Sequence, residues 1–97
     1  MTNKIQETLV NKTILVGITY LDSNYEIVDK KTFCGIIKSV NNDSIDIRIN
    51  RTGEIFSLPP DVESIKEAQK GCYHIYETGE KILNPDYVSM WEIVCSE

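Results

Sequence analysis

Ser44-Ile45-Asp46-Ile47-Arg48-Ile49, then Asn50-Arg51-Thr52-Gly53, then Glu54-Ile55-Phe56-Ser57-Leu58 is the stretch on which the fold class turns. Ile45, Ile47 and Ile49 alternate without error with Ser44, Asp46 and Arg48, the period of a strand with one buried face. Asn-Arg-Thr-Gly supplies turn chemistry, and the chain returns as a strand over Glu54 to Leu58. Upstream, Asn41-Asn42-Asp43 is a second turn. It follows a long strand over Thr32 to Val40 whose Gly35 suits a bulge or sharp bend. Three strands in succession predict an antiparallel meander.

Towards the N-terminus, Thr13 to Tyr20 reads as a strand with Ile14, Val16, Ile18 and Tyr20 on one side, ended by the turn residues Leu21 to Asn24. Tyr25 to Val28 starts the next strand, with an interruption expected at Asp29-Lys30-Lys31. Residues 1–12 read as a polar arm or a short helix, Ile5 and Leu9 standing four apart. Towards the C-terminus, Pro59 and Pro60 lack the amide that a ladder needs and stop the strand at Leu58. Asp61 is placed to cap a short helix over Val62 to Lys70, with Gly71 at its exit. Strands then follow at Cys72 to Tyr76, Lys81 to Leu83 and Val88 to Cys95, separated by Glu77-Thr78-Gly79-Glu80 and Asn84-Pro85-Asp86. So many short strands in residues 13–97 would leave edges exposed in a flat sheet. The expected architecture is therefore all-β in one domain: a small SH3-like or Sm-like barrel or a strongly bent antiparallel sheet, with one short helix. An OB-like barrel is the alternative.

The chain has 97 residues, enough for one core but little for a deep enclosed site. It lacks the apolar run of roughly 20 residues that spans a bilayer, and its first residues do not read as a secretory signal. A cytoplasmic protein that does not act at a membrane is expected. Residues 1–51 hold seven basic and six acidic side chains, whereas residues 52–97 hold three basic and nine acidic, a balance of −6. That half is ill suited to nucleic acid, whose phosphates are bound by positive surfaces, and well suited to a basic protein.

Candidate chemistry is thin. Cys34, Cys72 and Cys95 have no paired spacing and His74 is the only imidazole, so neither a metal centre nor a cofactor site is expected, and the thiols read as buried packing residues. Cys72, His74 and Tyr76 would share one face of a strand. A thiolate–imidazole pair, however, needs an electropositive setting, and the surroundings are acidic. No catalytic residue is assigned. The candidate partner-binding residues are instead the acids Asp61, Glu63, Glu67, Glu77, Glu80 and Asp86 with Tyr76 and Tyr87, since aromatic side chains among charges form interface anchors. Trp91 is read as core, whereas Tyr73 is read either as core or as a further interface anchor.

The pieces Gly35-Ile36-Ile37, Leu58-Pro59-Pro60-Asp61, Gly71-Cys72-Tyr73, Thr78-Gly79-Glu80, Asn84-Pro85-Asp86-Tyr87 and Trp91 resemble a group of short, functionally uncharacterised bacterial proteins. That resemblance brings no activity and no functional residue. In general character, small, acidic and without a catalytic constellation, the chain also resembles the immunity proteins of bacterial toxin systems. Such a likeness implies an inhibitor that masks a basic toxin domain. The alternative is a regulatory or small-ligand module that acts as a homo-oligomer.

Overall fold

The computed structural model describes residues 8–95. It contains eight strands: β1 (Thr13–Leu21), β2 (Ile27–Val40), β3 (Ile45–Ile49), β4 (Ile55–Leu58), β5 (Ile65–Glu67), β6 (Cys72–Ile75), β7 (Glu80–Leu83) and β8 (Tyr87–Val94). Six form one sheet in the order β4-β3-β2-β1-β8-β5, and β6 and β7 form a separate two-stranded sheet. The meander is present: β2 pairs antiparallel with β3, and β3 with β4.

Ile14, Val16 and Ile18 of β1, Phe33 and Ile37 of β2, the three isoleucines of β3 and Leu58 of β4 are buried in one cluster. Ile65 of β5 and Tyr87 and Trp91 of β8 pack against it. All six strands thus contribute to a single core, and the sheet curls around it. Leu9 is buried in the same cluster, so the end of the N-terminal segment is packed and not free. The rest of that expectation, residues 1–7, lies outside the described residues.

Three expectations need correction. The large sheet is open, with β4 and β5 as its edges, and it is mixed, because β8 pairs with β1 in parallel. Pro59 and Pro60 end β4, and the chain then crosses to the opposite edge before it can pair again. The helix over Val62 to Lys70 is only a 3-10 turn, Val62–Ser64, followed by β5. Asp61 does cap that turn, its side chain accepting from the Glu63 amide. But Val62 and Ile65 alone give a helix little to bury, whereas Ile65–Glu67 pair with Ser89, Val88 and Tyr87 of β8. Finally, β2 runs unbroken through Asp29-Lys30-Lys31 because it is laddered there to β1.

Gly35 matters for closeness rather than for bending. A Cβ at this position would stand 2.4 Å from the Arg48 carbonyl oxygen and 2.7 Å from Ile47 Cγ2. The irregularity of the β2–β3 ladder falls later, between Ile37 and Ser39. Beyond it, Asp46 of β3 accepts from Ser57 Oγ (2.7 Å), Ser44 Oγ (2.8 Å) and Ser39 Oγ (3.0 Å). Ser39 and Ser57 are its direct cross-strand neighbours, so this carboxylate ties three strands at one level.

A second, smaller cluster lies apart from the first. Leu15 and Cys34 are buried there with Ile75 of β6, and Tyr73 and Ile82 pack against them. The β6–β7 hairpin is thereby seated on the sheet by one fully buried residue, Ile75.

Candidate functional site

The structure does not gather the acidic half into one face. Asp61 and Glu63 belong to the 3-10 turn. Glu67, Asp86 and Tyr87 line a cleft of about 450 Å³ that also holds Lys12 and Lys70. Glu77 and Glu80 stand at the β6–β7 turn, where they line a slot of about 230 Å³ together with Lys30, Lys31, Arg51 and Glu54.

Several of these acids are committed to the fold. Asp86 Oδ2 accepts from the Thr13 amide and the Thr13 hydroxyl, and the Asp86 amide donates back to Thr13 Oγ1. The Thr13 amide, then its hydroxyl, and more weakly the charge of Lys12 hold the Asp86 carboxyl below its ordinary range, with slight burial opposing. Glu80 closes its own turn: its carboxylate accepts from Thr78 Oγ1, and its amide donates to the same oxygen. Glu63, Glu67 and Glu77 are exposed side chains with no structural bond of this kind among the described residues.

Of the two candidate tyrosines, Tyr87 is half-buried and packs on the main core. Tyr76 is 87% exposed, directly after Ile75 and directly before Glu77. Strand alternation explains the contrast. Ile75 turns into the sheet, so Cys72, His74 and Tyr76 turn to solvent, with the His74 and Tyr76 rings edge to face at 6.0 Å. Gly79, at a φ of +78°, makes the tight turn that leads back into β7. The hairpin therefore presents an aromatic ring beside a carboxylate on a two-stranded support that Ile75 seats on the sheet.

The thiols differ from one another. Cys34 is buried, and burial, then the nearby charge of Glu80, push its thiol up. Cys72 and Cys95 are exposed, correcting the expectation that all three pack inside. Cys72 lies on the outward face of β6, and Cys95 lies beyond the end of β8. Among the described residues no three His, Cys, Asp or Glu side chains converge as metal ligands do. No helix among them is long and apolar enough to cross a membrane.

Trp91 and Tyr73 are only partly buried. Trp91 packs on the core and donates from Nε1 to the buried Ser89 Oγ at 2.8 Å, and Tyr73 donates from its hydroxyl to the Gln69 carbonyl at 2.7 Å. Sequence reasoning missed the basic side of the β6–β7 slot. Lys30, Lys31 and Arg51 come from the N-terminal half, and only the seating of the hairpin on Leu15 and Cys34 brings them near Glu77 and Glu80. Compared with known proteins, the chain matches no family model, no curated protein and no solved structure.

Proposed function

We propose that the chain is a non-catalytic protein-binding domain, an immunity-type inhibitor whose contact element is the β6–β7 hairpin and whose partner is a basic toxin domain. The observation that carries this reading is Tyr76, 87% exposed and followed by the exposed Glu77 on a hairpin anchored by the buried Ile75. Tyrosine is among the residue types that most often anchor an interface. Carboxylates around such an anchor accelerate encounter with a cationic surface and make binding sensitive to salt. The excess of acids over residues 52–97 supplies the long-range part of that attraction.

Capture from native lysate of the source cells tests the reading. The immobilised chain is expected to retain a basic protein at low salt and release it as salt rises, and the Tyr76→Ala/Glu77→Gln variant should retain far less. If no basic protein is retained at low salt, the proposal fails.

A further inference from the structure

The β1–β2 ribbon outreaches the strands beside it. β3 joins β2 only from Gly35 onward, so Asp29 to Phe33 of β2 pair with β1 on one side and, among the described residues, with no strand on the other; Ile27 pairs with Leu21 beyond a bulge at Val28. The Asn50 amide bonds the Cys34 carbonyl, so the Cys34 backbone points away from β1. By strand alternation Thr32 and Lys30 point the same way, onto the open edge. The Lys30 amide donates to Asp29 Oδ1 at 2.8 Å. Ile27 and Val28, 59% and 57% exposed, extend this edge, and Tyr25, at 72%, stands just before it.

We infer that this edge pairs with the same edge of a second copy of the chain, antiparallel and centred on Lys30. A two-fold axis perpendicular to the sheet, the symmetry of such a pair, sets residue 30 opposite itself. Asp29 then lies opposite Lys31 of the second copy, and Lys31 opposite its Asp29. Thus the chain's own charge order, Asp29-Lys30-Lys31, supplies two complementary cross-strand pairs in this one register. Beyond Asp29 the strand bulges at Val28, and Ile27 and Val28 run towards the second copy's slot of about 230 Å³ between its β3–β4 and β6–β7 turns, which Phe33 and Ile49 also line. Exposed apolar side chains thereby gain an apolar neighbour. The Lys30 amide exchanges the Asp29 carboxylate for the Lys30 carbonyl of the second copy, freeing Asp29 for its ion pair. The opposed Lys30 side chains are the cost, and Glu77 and Glu80, which line the same slot as Lys30, offset it. A contact of so few residues gives a reversible dimer, at the small end of specific interfaces.

Sedimentation velocity on the full chain over a concentration series tests this. The weight-average mass should rise from that of one chain towards that of two. Asp29→Lys and Lys31→Asp each set like charges opposite one another, and each alone should associate roughly tenfold more weakly. Mixed together, the two variants should regain association, because the charges at positions 29 and 31 then face their opposites; that regain also shows that both are folded. A wild-type chain that stays monomeric throughout, single variants that associate as well as wild type, or a mixture that does not recover would overturn the inference.

Discussion

Thr13 and Asp86, 73 positions apart in the chain, hold each other by three hydrogen bonds of 3.0 Å, two into the Asp86 carboxylate and one from its amide. The contact fixes the start of β1 against the entry to β8, where the parallel ladder begins at Ile14 and Tyr87. Parallel pairing cannot be set by a tight turn, so a side-chain clamp at its first rung does what a hairpin loop does elsewhere. Asp86→Ala should cost about 1 kcal/mol, modest because the contact is exposed, and should slow the folding of β8 onto β1. Urea titration followed by tryptophan fluorescence reads the stability change directly, since Trp91 lies on β8.

Acid should weaken the fold through two carboxylates. Hydrogen bonds from Thr13 hold Asp86 below its ordinary range, and those from Ser57, Ser44 and Ser39 do the same for Asp46. A folded-state pKa below the unfolded one contributes stability that is fully present above the unfolded value, about 3.9. That contribution disappears as pH falls through the lowered folded value. Midpoints of urea unfolding should therefore drop below about pH 4. The Asp46→Asn and Asp86→Asn variants should be less stable at neutral pH and should show a flatter acid limb.

The two glycines of the central ladder should respond unequally to alanine. At Gly35 the added Cβ meets backbone, the Arg48 carbonyl, so β3 must shift, at a cost of about 3 kcal/mol. At Gly17 it meets Met90 Sδ at 2.6 Å, the far end of a flexible, 64% exposed side chain that can swing away. That change should cost less than about 1 kcal/mol. Thermal unfolding of both variants checks the ordering.

Thiol labelling should split two to one. Cys72 and Cys95 are exposed and should react with an aromatic disulfide at once, whereas Cys34 is buried in the cluster with Leu15 and Ile75. Cys34 should label only as fast as the hairpin lifts or the chain unfolds. Ile75→Ala should speed that third reaction and destabilise the fold by about 3 kcal/mol.

These residues also show how far the sequence could be read. The β3 alternation is legible because one face is buried and the other wet, and Ile45, Ile47 and Ile49 are all buried. The cap at Asp61 and the stop at Pro59-Pro60 are equally local. Three other features depend on partners distant in sequence. β5 is a strand only because β8 lies beside it, and β8 runs parallel to β1 across some 70 intervening residues. Leu15 and Cys34, on the sheet face opposite Ile14 and Val16, are buried because the β6–β7 hairpin covers them, which no periodicity within β1 or β2 announces. The candidate site shares that limit. Composition marks the C-terminal half as acidic, but strand alternation at Ile75 turns Tyr76 fully to solvent, and packing on the main core leaves Tyr87 half-buried.

The most direct test of the binding role of the hairpin is calorimetric titration of the captured basic partner with the wild-type chain and the Tyr76→Ala variant, at low and high salt. The substitution should leave the unfolding midpoint unchanged, because Tyr76 is exposed, and should weaken binding by at least about 2 kcal/mol. Affinity should also fall with salt for both proteins. Equal affinity of the two at every salt concentration would contradict the assignment of the β6–β7 hairpin as the contact element.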